Sequence, residues 1–254
     1  MTKEDVNLAL AFKMPPERAV KYLENKGYKI SNNWYDMWED AHAKAFTVAK
    51  MAKADLLRDT KEILENSLKN GTSARTTQKE VEKLFIEKGW WGKREVEDKN
   101  GEKKTIQLGS KYRVKTIYKQ NIQSAYNAGR YLEQLENADI APYLQYVCVI
   151  DSVTRPEHKA LHQKIFRYDD EFWLYFYPPN GWGCRCTVRS LSASKLKHLG
   201  LTVEKSSGNI SHKFVVVDKE TGLEKPVAVY DYTIGGKRFK FAADAGWSTN
   251  PGKC

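Results

Sequence analysis

The sequence has no long apolar run, few cysteines, and no repeated or low-complexity tract. No segment approaches the roughly 18 to 20 apolar residues that a membrane-spanning helix needs, so no membrane span is expected. The opening residues MTKEDVNLALAF lack a basic region followed by a long apolar one, so export is not indicated. Four cysteines in 254 residues are too few for a disulfide framework, which favours synthesis in a reducing cytoplasm.

The sequence also lacks a catalytic triad pattern and a nucleotide-binding glycine loop, so we expect a binding protein and not an enzyme. Hydrophobic residues make up 41% and aromatic residues 12% of the chain, which is enough to form a packed core. Charged residues make up 29%, which argues against a membrane protein. The composition therefore predicts a soluble, globular chain.

Basic residues exceed acidic ones by 42 to 32, and the resulting charge of +10 is compatible with nucleic-acid or acidic protein partners. Half of the excess lies between Lys93 and Lys119, where nine basic residues face four acidic ones. The candidates for phosphate contact are Lys93, Arg94, Lys99, Lys103, Lys104, Lys111, Arg113 and Lys115. Two interpretations stay open: a solvated hairpin near residues 93–109, or a surface that touches double-stranded DNA without sequence specificity.

Helical signals dominate the first part of the sequence. Pro15 and Pro16 favour the start of a short helix, and Gly27 is a candidate for its left-handed end. From Asn33 to Lys69 there is no proline or glycine, and apolar residues recur at three-to-four spacing. This pattern predicts one long helix.

Two further helices are predicted before residue 140. Thr77 and Glu80 match a capping box for a helix that reaches Lys88. An apolar stripe then predicts a helix from about Tyr112 to Glu136. Between them, the sequence at 98–101 is typical of a hairpin turn that joins two short strands.

Short strands and helices alternate in the second half. The segment YLQYVCVI predicts a buried strand, and Thr154 with Glu157 predicts a helical turn from Arg155 to about His162. Ser192 is a candidate cap for a short helix that ends before Gly200. The segment KFVVVDKETGLEKPVAVYDY predicts two strands around a turn.

These elements together predict an α+β fold. A mainly helical region with the basic hairpin would cover residues 1–110, and a compact mixed α/β core would cover 111–200. A β-rich extension would cover 201–254 and pack on, or extend from, that core.

The sequence contains a candidate zinc site. On a helix, His158 and His162 would lie one turn apart on the same face, and Cys184 and Cys186 would share one face of a strand. Two imidazoles and two thiolates match the tetrahedral preference of structural zinc. Alternatively, the histidines form hydrogen bonds in a core and the cysteines act as small buried hydrophobes, as we expect of Cys148.

Several neighbouring polar residues have both a structural and a catalytic interpretation. In the structural one, Asp151 accepts hydrogen bonds from the following amides, and Arg155 bridges to a carboxylate within 169–171. In the catalytic one, Asp151, His158 and His162 form an acid–base group. The aromatic residues between the two pairs would cover the core or anchor a partner: Phe172, Trp173, Tyr175, Phe176, Tyr177 and Trp182.

The segments YVCVIDSVTRPEHKALHQKIF and YPPNGWGCRCTVR, in this order, resemble the phage Mu F-like head morphogenesis (minor head protein) family. The resemblance extends to FKMPPERAVKYLENKGY, AHAKAFTVAKM, EKGWWG and YNAGRYLEQLEN. The core motif of this resemblance includes Asp151, Arg155, Pro156, Asn180, Gly181, Trp182 and Arg185.

The resemblance implies a minor head protein at the portal vertex that assists procapsid assembly, DNA packaging or ejection. Its partners would be the portal and other head proteins, and its locations the host cytoplasm during assembly and then the virion head. Two alternatives stay open: a nuclease or toxin-like enzyme that uses the Asp151, His158 and His162 group, and a zinc-stabilised DNA-binding adaptor.

Overall fold

Helices form most of the first half of the chain, and short strands and helices form the second half. The computed structural model describes residues 16–97 and 101–253. The helices are α1 (Pro16–Glu24), α2 (Asp40–Lys44), α3 (Ala54–Asn70), α4 (Ala74–Glu87), α5 (Lys111–Glu136), α6 (Pro156–Ala160), α7 (Phe172–Tyr175) and α8 (Ala193–Leu199). None of the helices in these ranges is long and apolar enough to cross a membrane.

The strands form small sheets. They are β1 (Gly27–Tyr28), β2 (Ala45–Phe46), β3 (Lys93–Glu97), β4 (Lys103–Gln107), β5 (Tyr143–Val147), β6 (Ile165–Arg167), β7 (Thr187–Leu191), β8 (Ile210–Asp218), β9 (Leu223–Ile234) and β10 (Lys237–Ala242). β1 and β2 pair in parallel, β3 and β4 form a hairpin, and the two larger sheets have the orders β6-β5-β7 and β10-β9-β8. The α+β prediction is confirmed.

The predicted long helix from Asn33 to Lys69 is wrong in its first half. A short 3₁₀ turn at Trp34–Asp36 and α2 are followed by β2, and helix α3 begins only at Ala54. Apolar residues at three-to-four spacing were present, but the helix is interrupted at Ala45–Phe46, where β2 pairs with β1, and a turn at residues 49–50 follows. Gly27 lies in β1 and does not end α1 in a left-handed conformation.

Serine and glycine mark several helix ends. The side chains of Ser73 and Ser192 accept hydrogen bonds from backbone N–H groups at the starts of α4 and α8, each at 3.2 Å. Gly71 and Gly200 end α3 and α8 with φ of 60°. The predicted cap at Thr77 is wrong, because Ser73 already starts the helix one turn earlier.

A first buried cluster lies between α1, α3, α4 and α5. Its buried members include Leu23, Phe46, Leu64, Phe85 and Ile122. At the crossing of α1 and α5, a Cβ added to Gly129 would lie 2.9 Å from the Cβ of Arg18 and 3.2 Å from the backbone nitrogen of Ala19. The absence of a side chain on Gly129 therefore allows the two helices to approach closely.

A second buried cluster surrounds the sheet β6-β5-β7 and is rich in aromatic residues. Phe172, Trp173, Phe176 and Tyr177 are fully buried, which confirms that this stretch covers the core. Residues of β9 and β10 belong to the same cluster: Ala228, Tyr230, Tyr232 and Phe241. The carboxy-terminal strands therefore pack on the core, while the three-part domain division stays a prediction.

Candidate functional site

Three metal-ligand side chains meet beside the sheet β6-β5-β7, and we call His158, Cys184 and Cys186 the thiol cluster. The Nδ1 atom of His158 lies 3.7 Å from the Sγ atom of Cys184 and 3.5 Å from that of Cys186. The ligand atoms of the three residues all lie within 4.8 Å of one another, and all three side chains are buried. The structure thus unites three of the four predicted ligands.

Local backbone geometry explains how the cluster forms. Cys184 and Cys186 lie on the segment that leads into β7, and both of their Sγ atoms face His158, whereas the side chain of Arg185 between them binds Asp151. His158 is carried by α6, which begins with Pro156 in its first turn. The predicted same-side placement of the two cysteines is therefore seen, although they precede the strand.

His162 does not join the cluster, contrary to the predicted helical pairing with His158. Helix α6 ends at Ala160, so the i to i+4 geometry of a continuous helix does not apply to His162. Its Nδ1 atom instead accepts a hydrogen bond from the backbone N–H of Cys148 at 3.1 Å. The predicted cap at Thr154 is also absent, because its hydroxyl contacts Asp151 and the carbonyl of Val149.

Cys148 is the residue of this region that sequence reasoning missed as a candidate ligand. It directly follows β5, and its Sγ atom lies 3.4 Å from that of Cys186. The sequence alone did not show this contact, because it depends on strand register: antiparallel pairing of Val147 with Thr187 brings the next positions, 148 and 186, side by side.

The thiols of the cluster are poor nucleophiles. Hydrogen bonding with Cys148, together with burial, raises the pKa of Cys186 to about 12. Hydrogen bonding with Cys186 and burial also raise the pKa of Cys184. Both groups are therefore thiols at neutral pH when no cation is bound, and reactive cysteine chemistry is not favoured here.

Two arginine–carboxylate pairs lie next to the cluster. Arg185 donates to both carboxylate oxygens of Asp151 at 2.7 and 2.6 Å, and the backbone N–H groups of Val153 and Thr154 donate to Asp151 Oδ1. The predicted capture of following amides by Asp151 is therefore confirmed. The Arg185 guanidinium holds the pKa of Asp151 well below its usual range.

The partner of Arg155 is Asp244, and the predicted partner within 169–171 is wrong. Arg155 Nη1 donates to the two carboxylate oxygens of Asp244 at 2.7 and 2.8 Å, and the backbone N–H of Trp182 donates to Asp244 Oδ2 at 3.0 Å. A Cβ on Gly181 would lie 2.2 Å from this oxygen, so glycine is required there. Sequence separation of 89 residues hid this pair from sequence analysis.

Asn180 links the turn at residues 180–183, which we call the turn of the core motif, to the second buried cluster. The Tyr146 hydroxyl donates to Asn180 Oδ1 at 2.7 Å, and the Asn180 backbone carbonyl accepts from the N–H of Asp244 at 3.0 Å. The turn thus joins β5 to the segment that follows β10. The core motif residues act together as a clamp between distant parts of the chain.

The candidate acid–base group of Asp151, His158 and His162 is not arranged for joint chemistry. The carboxylate of Asp151 is bound by Arg185, the imidazole of His158 faces thiols, and His162 Nδ1 accepts from a backbone amide. A carboxylate that is held ionised by arginine is a poor proton donor at neutral pH. These contacts favour the structural interpretation of the group.

Most of the phosphate-contact candidates are exposed, but Arg113 is not suited to that role. It donates to the carbonyls of Gln107, Leu108 and Ala49, and its guanidinium stacks 4.7 Å from the ring of Trp90. Its interactions are internal, so its assignment as a nucleic-acid contact is corrected.

The remaining candidates do not form one basic face. Strands β3 and β4 pair antiparallel, so Arg94 and Lys104 lie on one side of the hairpin and Lys93 and Lys103 on the other. Lys103 is paired in register with Glu97, Lys111 and Lys115 are exposed on α5, and Lys99 lies outside the described residues. Non-specific contact with DNA stays a prediction.

A large cleft that the sequence did not reveal lies between α5 and the segment after β10. Its volume is about 470 Å³, and we call it the aromatic cleft. Residues that line it include Trp34, Tyr112, Trp182 and Trp247. The rings of Trp182 and Trp247 meet edge to face at 5.1 Å, so the turn of the core motif also forms one wall of the cleft.

Two titratable side chains in the aromatic cleft have shifted pKa values, one raised and one lowered. Burial, with a smaller contribution from Asp40, raises the pKa of Glu39 to about 7. Burial, with a smaller contribution from Lys26, lowers the pKa of His42 to about 4. Both groups therefore favour their neutral forms in the folded protein.

Replacing Glu39 with glutamine is expected to stabilise the protein more at pH 8 than at pH 5. The folded protein binds the Glu39 proton more tightly than the unfolded chain, so the carboxyl's contribution is full below about pH 4.5 and is lost as pH rises through about 7. Glutamine does not titrate, so the variant has no such loss. The free energy of unfolding of the variant should exceed that of the unaltered protein at pH 8 by about 1–3 kcal/mol more than at pH 5.

The measurement is chemical unfolding of both proteins from pH 4.5 to 8.5. His42 is common to the two, so its opposite contribution below pH 6.5 cancels in the difference. A difference between the two proteins that does not grow with pH would show that Glu39 is solvated and that the cleft closes less tightly than described.

Comparisons with known proteins found a matching family model and similar proteins from a phage and from a bacterium. A family model described as "Phage Mu protein F like protein" matches residues 58–189. The chain is 43% identical over 256 residues to the "Putative capsid assembly protein F" of Escherichia phage Mu, covering 99% of this chain and 57% of that protein. It is 44% identical over 225 residues to the "Mu-like prophage FluMu F protein" of Haemophilus influenzae, covering 88% and 53% respectively.

The chain therefore spans little more than half the length of these two relatives. No solved structure matches it.

Proposed function

Because the chain belongs to the Phage Mu protein F like family, we propose that it acts in phage head morphogenesis as a minor head protein. The observation that carries this proposal is the identity of 43%, over 99% of the chain, to a protein named as a putative capsid assembly protein. The clamp of Arg155, Asp244 and Gly181 agrees with a structural role for the core motif, since it joins segments that lie far apart in sequence.

The finer proposal places the protein at the portal vertex. It enters the assembling head in the host cytoplasm, contacts the portal and other head proteins, and stays in the virion head. There it assists procapsid assembly, DNA packaging or ejection. It works by binding, since the contacts of Asp151 and His162 favour structure over turnover.

The aromatic cleft is the proposed contact surface for a head protein. Trp34, Tyr112 and Trp182 line it and keep exposed fractions of 38%, 78% and 45%. Exposed aromatic side chains at the edge of a concave surface are typical anchors of protein interfaces. Helix α5 and the turn that contains Trp182 both contribute residues to this surface.

Replacing Trp34 and Tyr112 together with alanine is expected to reduce incorporation into procapsids by about tenfold or more, because interface aromatics dominate binding energy. The fold should survive, since Tyr112 is 78% exposed. The measurement is quantitative mass spectrometry of procapsids assembled with each variant. Phe214→Ala is the matched control, because Phe214 is 67% exposed on β8 and does not line the cleft.

Normal incorporation of the double variant into procapsids would show that the cleft is not the contact surface. Equal losses for the double variant and Phe214→Ala would indicate a general surface effect, which also contradicts the proposed site. Neither result bears on whether the unaltered protein is a component of the head.

A further inference from the structure

We propose that the thiol cluster is a structural zinc site whose ligands are His158, Cys184, Cys186 and Cys148. The proposal replaces the pairing of two histidines and two cysteines that the sequence indicated, because His162 is engaged with a backbone amide. It is independent of the head protein role, since it concerns how the core is held together. Three ligands come from the cluster itself, and the fourth comes from the end of β5.

The distances within the cluster match the edges of a zinc tetrahedron. With Zn–S of about 2.3 Å and Zn–N of about 2.0–2.1 Å, a tetrahedral site has N···S separations of about 3.5 Å and S···S separations of about 3.8 Å. The observed separations from His158 Nδ1 to Cys186 Sγ and Cys184 Sγ are 3.5 and 3.7 Å. The imidazole nitrogen of His158 therefore lies at a tetrahedral edge distance from both thiols.

The donor chemistry also selects zinc among common cations. Thiolate and imidazole ligands suit Zn²⁺, while Mg²⁺ and Ca²⁺ prefer oxygen ligands. His158, Cys184 and Cys186 have exposed fractions of 3%, 7% and 2%, so the site is shielded from solvent as structural zinc sites are. Binding releases the thiol protons to solvent, because thiolates are the ligands.

Cys148 is well placed to complete the site. Its Sγ atom lies 3.4 Å from that of Cys186 and donates to the carbonyl of His158 at 2.8 Å. Cys148 is not among the residues whose ligand atoms all lie within 4.8 Å of one another, so its thiol would give up the hydrogen bond to the His158 carbonyl and move toward the other three ligands on coordination. His162 supports this arrangement, because its Nδ1 accepts the Cys148 backbone N–H and holds the end of β5 in place.

The surrounding charge would compensate a thiolate-rich centre. Three thiolates and one imidazole around Zn²⁺ leave a net charge of about −1. The guanidinium of Arg155 interacts electrostatically with Cys184. Arg155 thus acquires a second role beside its ion pair with Asp244.

Such a site would tie together three pieces of chain: the end of β5, helix α6 and the segment that enters β7. The loop between α6 and Cys184 carries aromatic residues of the second buried cluster. The metal would hold the two ends of this loop together. Coordination then contributes to folding directly, as it does in small zinc domains.

The first test measures zinc in the full chain purified without chelator, together with Cys184→Ser, Cys186→Ser and the control His198→Ala, whose side chain is exposed on α8. About one zinc per chain is expected in the unaltered protein and in His198→Ala, and loss of zinc is expected in both serine variants. Absence of zinc from the unaltered protein, with no uptake of added Zn²⁺, would overturn the proposal. Retention of one zinc per chain in both serine variants would overturn the ligand set.

The second test counts thiolate ligands and needs no unstable variant. Co²⁺ bound to the unaltered chain should show strong thiolate-to-metal charge-transfer absorption, and Cys148→Ser should reduce its intensity by about one third. Unchanged intensity in Cys148→Ser would remove Cys148 as a ligand. Absence of the band in the unaltered chain would show that the cluster is only a group of buried thiols.

Discussion

Replacing Trp173 with alanine is expected to lower the free energy of unfolding by about 3–5 kcal/mol, the usual loss for a large aromatic side chain removed from a core. Trp173 is fully buried, and its ring packs edge to face on Phe166 and Phe172 at 5.8 and 5.0 Å. Its indole N–H also donates to the carbonyl of Arg167 at 3.0 Å, and this bond is lost too. Equilibrium unfolding in urea measures the change.

The control for Trp173 is Phe214→Ala, because Phe214 is another large ring but is 67% exposed. Little change is expected for it, since surface substitutions usually stay within about 0.5 kcal/mol. A small effect of Trp173→Ala would contradict the burial of the aromatic stretch. It would restore the alternative that this stretch is a free surface for a partner.

Replacing Lys61 with methionine is expected to destabilise the first core by about 3–5 kcal/mol, because one partner of a buried ion pair is removed. Lys61 is only 4% exposed, and its ammonium group donates to the carbonyls of Glu24 and Lys26 at 3.0 and 2.7 Å. It also lies 3.2 Å from the carboxylate of Glu65. Methionine keeps the length of the side chain but leaves these acceptors without a donor.

Lys69→Met provides the matched control for Lys61 in the same helix. Lys69 pairs with the Glu24 carboxylate at 2.6 Å, but both side chains are about half exposed, at 45% and 40%. Its loss should leave the unfolding midpoint nearly unchanged, because solvent screens exposed ion pairs. Equal effects of the two variants would contradict the proposed anchoring of the end of α1 by Lys61.

Local signals predicted much of the fold. The serine cap of α8 and the turn between β8 and β9 both depend on a few neighbouring residues, and both are confirmed. The failure at Asn33–Lys69 has a different cause. There, helical spacing competed with the pairing of β1 and β2, and the pairing partner lies about twenty residues away in sequence, beyond what periodicity can detect.

Part of the candidate site was also predicted from the sequence. His158, Cys184 and Cys186 were identified from their spacing, and the structure brings them together. Cys148 was missed because its contact with Cys186 depends on the register of β5 and β7. Asp244 was missed because it lies 89 residues from Arg155 in sequence, and the aromatic cleft was missed because its walls come from distant parts of the chain.

The proposed role of this chain is that of a minor component of a phage head. The most direct measurement is quantitative mass spectrometry of purified procapsids assembled in its presence, with portal subunits counted in the same particles. We expect a low, reproducible copy number that stays in proportion to the portal. Absence of the protein from purified particles would contradict the proposed role.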